Sequence, residues 1–260
     1  MCSSSLSLIR CLLVALSLGF HGIVWGQDQK PASDADLPSS VDLYHYYIQA
    51  NGGRANIQAL NTLVATGTLE AVDGDVLEFK VVRKRPDKLR FKVNFEGYTL
   101  ETFYNGKQGW KELVRNDGAK KVVELEGDEL LSVMADAVME SPLFQLAGLY
   151  DAMTPVAIED VRGHEAIRVE IDPSAGIQYH SIWLSTEHFQ EVKLARTDVG
   201  SDAAQAPVES EIYCSDFERI DGIYHATTMG YCTDGELTQT IRIDRIRTNV
   251  GIFDSYFKKN

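Results

Sequence analysis

The chain has 260 residues, 38 of them acidic against 25 basic, for a formal net charge of −13. A surface this acidic repels nucleic-acid phosphates and anionic membrane faces, so no nucleic-acid partner is expected and any lipid contact falls to a pocket rather than a basic patch. The length suits one β domain or two smaller units, and because no internal linker follows residue 40, a single domain over residues 40–260 is expected.

At the amino terminus a single cation, Arg10, precedes the apolar run Cys11–Phe20, and the small-residue exit Val24-Trp25-Gly26 precedes Gln27. This pattern predicts a secretory signal over residues 1–26, cleaved near Gly26/Gln27, and so an exported protein. The stretch Cys11–Gly26 is interrupted by His21 and falls short of the roughly 20 apolar residues that span a bilayer, so no permanent membrane span is expected. Arginine before Cys11 is a poor context for lipid attachment. Residues 27–39, with Pro31, Pro38, serines, alanines and acids, read as a disordered leader.

Ser39 and Ser40 can cap a helix from about Val41 to Asn51, whose apolar stripe is Leu43, Tyr47 and Ile48 and whose end is Gly52-Gly53. A short turn of helix, Arg54 to Leu60, leads into a strand from Leu63 to Leu69. From Asp75 to Phe95 the chain alternates. Leu77, Phe79 and Val81, then Leu89, Phe91, Val93 and Phe95, share one face, while Lys80, Lys84, Lys88, Arg90 and Lys92 take the other. Arg85-Pro86-Asp87 is the turn between these runs. The period of two predicts an antiparallel hairpin with one apolar face and one face in water.

Turn dipeptides then recur at Asp73-Gly74, Glu96-Gly97, Asn105-Gly106, Arg162-Gly163, Asp221-Gly222 and Asp234-Gly235. Strands are expected near residues 62, 76, 88, 98, 108, 121, 155, 165, 179, 190, 208, 223 and 236, a spacing that suits a meandering sheet or barrel rather than alternating β and α units. Two helices interrupt it. Asp128 can cap one running to Glu140 with Leu131, Met134 and Val138 at the helical period. Ser141-Pro142 can open a second, with Leu143, Phe144, Leu146, Leu149 and Tyr150 making a broad apolar surface. Helices this apolar must lie against the sheet, either plugging its core or forming a movable lid over a cavity.

Catalytic patterns are absent. The sequence holds no HExxH, CxxC or GxSxG, no Walker loop and no dinucleotide glycine motif. His164 and His188 fall at turns, and Glu209 with Glu211 is a same-face carboxylate pair of the kind an acid-rich chain produces by composition. No catalytic residue, metal site or cofactor is expected, and the chain reads as no enzyme. Trp110 and Trp183 suit either a pocket wall or a core. After signal removal Cys214 and Cys232 remain in a compartment that permits a disulfide. A two-residue turn at Asp221-Gly222 would set position 214 opposite 229 and leave the cysteines roughly 10 Å apart along the strand, so a bridge needs a bulge and two buried thiols are the alternative.

Several strings then point one way. Ala50-Asn51-Gly52-Gly53, Ile57, Ala59-Leu60, Thr62-Leu63 and Gly67 resemble the first helix and strand of the periplasmic LolA-like, outer-membrane lipoprotein-sorting proteins. Lys84-Arg85-Pro86-Asp87-Lys88 with Arg90, then Tyr104-Asn105-Gly106-Lys107 and Gly109-Trp110, are similar to the central hairpins of that family. Val161–Ala166, Asp216-Phe217-Glu218 to Gly222, and Asn249-Val250-Gly251 through Asp254 to Phe257 fit its carboxy-terminal half, whereas His225-Ala226 stands where a proline-containing strand start is expected.

The resemblance implies a mainly β fold, an incomplete, strongly curved antiparallel β-barrel covered by helices, enclosing an apolar cavity in the periplasm. It implies a lipoprotein or lipid cargo, inner- and outer-membrane transport partners, and a lid latched by a buried arginine. The cavity residues expected are Leu77, Phe79, Val81, Leu89, Phe91, Val93 and Phe95 from the strands, with Leu131, Met134 and Phe144 from the lid. An envelope scaffold or sensor with a filled barrel would use the same residues as core.

Overall fold

The structure, a computed structural model, describes residues 37–198 and 207–259. The signal segment 1–26 and nearly all of the 27–39 leader lie outside the described residues. The fold is mostly β, an open antiparallel sheet of thirteen strands in the order β6-β5-β4-β3-β2-β1-β13-β12-β11-β10-β9-β8-β7. These are β1 (Thr62–Ala71), β2 (Val76–Lys84), β3 (Lys88–Phe95), β4 (Tyr98–Tyr104), β5 (Gly109–Arg115) and β6 (Lys120–Glu124). There follow β7 (Met153–Val161), β8 (His164–Ile171), β9 (Ser181–Ser185), β10 (Glu191–Asp198), β11 (Val208–Ile220), β12 (Ile223–Thr233) and β13 (Glu236–Thr248). The α-helices are α1 (Ser40–Ala50), α2 (Arg54–Ala59), α3 (Gly127–Ala137) and α4 (Pro142–Gln145).

The turn chemistry explains the meander. Arg162-Gly163, Asp221-Gly222 and Asp234-Gly235 all place both residues at positive φ, the backbone of the tight hairpin turn whose twist matches that of its strands. Two compact units divide the chain. One takes the residues up to Gly53, Pro142–Cys214 and Tyr231–Glu236; the other takes Arg54–Ser141, Ser215–Gly230 and Leu237–Asn260. They are called here the α1 unit and the α3 unit.

In the α1 unit, the Ser39 hydroxyl caps α1 by accepting from Asp42 N at 3.1 Å, and Leu43, Tyr44, Tyr47 and Ile48 are buried. Tyr44 meets Tyr150 edge-on at 5.2 Å, and Ser40 Oγ donates to Met153 O at 2.6 Å, seating the helix at β7. The second lid helix expected from Ser141 to Tyr150 is a single turn. Gly148 adopts φ 83°, and the chain reaches β7 through a separate 3-10 turn at Tyr150–Ala152. Trp183 belongs to a buried cluster with Val161, Ala166 and Ala195 and donates to Glu159 at 2.7 Å. Cys214 and Cys232 are both free thiols. Burial, with Glu191 adding to it, pushes the Cys214 thiol up to about 12.

In the α3 unit, β1 to β6 form consecutive hairpins and β13 pairs with β1. Gly67 sits at the β1–β13 irregularity, where an added Cβ would lie 1.9 Å from Arg242 O, so only glycine lets the two backbones meet. The lysine-rich face of the β2–β3 hairpin is not simply in water. Val64 and Val82 bury Phe257 from the carboxy-terminal segment, Lys84 and Lys88 reach Asp254 at 2.7 and 2.8 Å, and Arg90 lies 4.3 Å from the Tyr256 ring. The tail covers that face because an apolar ring and an acid are spaced to meet it. Trp110 is buried there too, stacked on Phe103 at 5.1 Å.

Candidate functional site

The opposite face of the same hairpins is apolar and only partly covered. Register aligns Phe79 with Val93, Val81 with Phe91, and Arg83 with Leu89 across β2 and β3. Across β4, Leu100 opposes Val93, Thr102 opposes Phe91 and Tyr104 opposes Leu89. On the other side, Leu69, Gly67, Ala65 and Leu63 of β1 oppose Leu77, Phe79, Val81 and Arg83, and they continue into Ile241, Ile243, Ile246 and Thr248 of β13. Since every second residue shares a face, these rows form one apolar surface five strands wide.

Helix α3 lies on this surface. An added Cβ at Gly109, the partner of Tyr104, would meet Leu130 Cδ1 at 2.9 Å and Leu125 Cδ1 at 3.1 Å, so the helix rests where the sheet has no side chain. Val133 and Ala137 complete the packed stripe. Lys111 pairs with Glu129 in the first helical turn. Beyond the helix end, Glu140 pairs with Arg85, whose Nη2 also donates to Ile57 O at 2.8 Å and whose Nε donates to Leu60 O. One guanidinium thereby ties the segment after α3 to the end of α2 and the start of the sheet, and burial lowers its pKa from the ordinary value.

Among the residues expected to line a cavity, Phe79, Leu89 and Val93 are buried and Phe79 meets Phe91 at 5.8 Å between ring centroids. Leu77, Val81, Phe91 and Phe95 are half-buried, as are Ile241, Ile243 and Ile246. Leu131 and Met134 are 56% and 38% exposed, because α3 seats through Leu130, Val133 and Ala137, which turn the neighbouring stripe outward. Phe144 is buried and belongs to the α1 unit, so nine of the ten share the α3 unit.

A polar residue on this face escaped the sequence reading. Arg83 falls on the apolar parity of β2, and its Nε is buried without a hydrogen-bond partner, as is Nε2 of His225 on β12. The signal was present, since Leu77, Phe79 and Val81 are followed two residues on by a cation. A depression of about 360 Å³ is lined by Thr66, Thr68, Glu78, Lys80, Lys92, Asn94 and Asp244, with Gly67 and Phe79 among them. Among the described residues, no cluster of three His, Cys, Asp or Glu is arranged for a metal, and no helix is long and apolar enough to cross a membrane.

Solved structures share this architecture. A LolA superfamily protein from Nitrosomonas europaea is 11% identical, aligned over 86% of this chain and 99% of its own, with a TM-score of 0.50. A domain described as outer membrane lipoprotein-sorting, from Vibrio parahaemolyticus, is 10% identical over 84% of this chain and 97% of its own, with a TM-score of 0.49. No family model and no curated protein matches the sequence. The fold is LolA-like, and at these identities the likeness speaks for the fold alone.

Proposed function

We propose that the chain is an exported, non-enzymatic carrier or binder of acyl chains, from a lipoprotein or another lipid, serving lipid or lipoprotein trafficking in the periplasm. The observation that carries this reading is the apolar surface of β1–β4 and β13, where Leu77, Val81, Phe91, Phe95, Ile241, Ile243 and Ile246 remain only half-buried. Each methylene taken from water gains about 0.8 kcal/mol, so a chain of about 16 carbons contributes on the order of 10 kcal/mol before ordering costs. No catalytic group is needed.

Binding that strong dissociates slowly, so the cover must move. Helix α3 is the mover: ion pairs hold it near both ends, Lys111–Glu129 and Arg85–Glu140, and its exposed Leu131 and Met134 offer adaptable apolar contact to an incoming chain. Arg85 takes the place of the latching arginine. Transport partners at the inner and outer membranes follow from a carrier role. Native mass spectrometry of protein purified from its own envelope is expected to find bound lipid. Protein that is lipid-free there, stays so after lipid challenge, and leaves ANS dark in the native state would instead make it a packed scaffold or sensor.

A further inference from the structure

We propose that Arg83 forms an oxyanion-binding site within the apolar surface of the α3 unit, so that the cargo is a singly charged anionic amphiphile rather than an uncharged acyl anchor. The inference rests on the carrier reading above and narrows its cargo.

Arg83 occupies the centre of a cross-strand row, between Leu63 of β1 and Leu89 of β3, with Thr248 of β13 beyond Leu63. It is the cation at the end of an otherwise apolar alternation. Among the described residues no hydrogen bond and no ion pair engages its guanidinium, whereas its neighbours Lys84, Arg85, Lys88 and Arg90 all have acidic partners. Its Nε is sealed from solvent. Buried donors without acceptors are rare in folded proteins and mark the place where a missing partner binds. Leucines cannot supply that partner.

The chemistry of Arg83 selects its ligand. A guanidinium offers five donors and no acceptor, so it calls for an oxygen carrying negative charge. The His225 ring is held below its ordinary pKa, first by burial and then by the nearby Arg83 charge, so the imidazole is neutral at pH 7 and adds no charge. The site therefore carries one positive charge and matches a monoanion. A fatty-acid carboxylate and a phospholipid phosphodiester both present one, next to a hydrocarbon chain that the surrounding Phe79, Val81, Phe91 and Val93 suit. The diacylglyceryl-cysteine anchor of a lipoprotein has no such group.

The test uses the full mature chain and three probes with the same sixteen-carbon chain: palmitate, methyl palmitate and lysophosphatidylglycerol. Isothermal titration is expected to show palmitate or lysophosphatidylglycerol binding at least about tenfold tighter than the methyl ester. The tighter of the two names the source of the oxyanion. Arg83→Met should weaken the anions by about tenfold or more and leave the ester within about twofold, while Arg83→Lys retains part of the preference. Because Arg83 has no partner in the protein, Arg83→Met should also raise the melting temperature, a result that a merely structural role would reverse. Equal affinity for all three probes, or an anion preference that survives Arg83→Met, overturns the oxyanion site and leaves the carrier reading standing. Binding of none of them overturns both.

Discussion

In the α1 unit one face of β8 and β9 is sealed, with Val169, Ile182 and Leu184 fully buried and Leu143, Leu146, Leu43 and Tyr44 at or near zero exposure. The α3 unit uses the same residue types at the same strand period, yet Leu77, Val81, Phe91 and Phe95 stay half in contact with solvent. The first unit has filled its apolar face with side chains from α1 and from the segment around α4. The second lays a single helix over Gly109, and on the same face Leu69, Phe79, Leu89, Val93 and Leu100 are buried while Leu77, Val81, Phe91 and Phe95 keep partial exposure. Burial of that area would stabilise the unit, so leaving it uncovered is intelligible when another molecule supplies the cover.

The sharpest way to break this contrast is to remove matched side chains from the two units. Ile182→Ala deletes atoms from a closed interior and is expected to cost about 3 kcal/mol, measured by urea unfolding. Phe91→Ala, although it removes a larger group, should cost no more than about 1.5 kcal/mol, because part of the ring already meets water and little cavity is created. The ligand-binding penalty should run the other way, strong for Phe91→Ala and absent for Ile182→Ala. A Phe91→Ala loss equal to that of Ile182→Ala would mean the two faces are alike.

A second, smaller effect concerns how the cover is held. Arg85→Gln removes the charge that joins Glu140 to the carbonyls of Ile57 and Leu60, an arrangement worth about 2 kcal/mol for hydrogen bonds to charged groups. Amide exchange along α3 should accelerate in this variant, with β8 and β9 of the α1 unit unchanged. Equal acceleration in both units would show global loosening and remove α3 as a separately held element.

Much of this arrangement was legible in the sequence, and the parts that were not have physical causes. Strand starts and hairpins could be read because Asp-Gly and Arg-Gly turns punctuate period-two runs, and both residues of three such turns adopt the positive φ that those dipeptides favour. Helix α1 could be read from its Ser39 cap and the Gly52-Gly53 stop. The α4 region was over-read, because apolar residues at helical spacing do not reveal that Gly148 turns the chain left-handed. The covered lysine face was missed since it depends on Asp254 and Phe257, about 170 residues away from Lys84. Arg83 and Arg85 lie two residues apart in one basic run, and only register assigns the first to the apolar face and the second to the helix tie.

That distant tail supplies the smallest of the expected effects and the last test of the comparison. If the α3 unit is left partly open on one face, it depends on the cover over its other face, where Lys84 and Lys88 hold the Asp254 carboxyl down to about 2 from its usual 3.8. A depressed carboxylate binds fewer protons folded than unfolded. Its contribution is therefore complete above pH 3.8 and is lost as the pH falls through about 2. Because Asp254 is solvent-exposed, the effect on melting temperature is expected to be small, and Asp254→Asn should reproduce at pH 5 the loosening that acid produces in the wild type. The gap between the two proteins should shrink as the pH falls through about 2. Hydrogen exchange would place the change at Val64, Val82 and Phe257, with β8 and β9 of the α1 unit unaffected. The absence of any gap between variant and wild type at pH 5 would mean the tail is held by its apolar ring alone, and that the basic stripe on β2 and β3 serves something other than the tail.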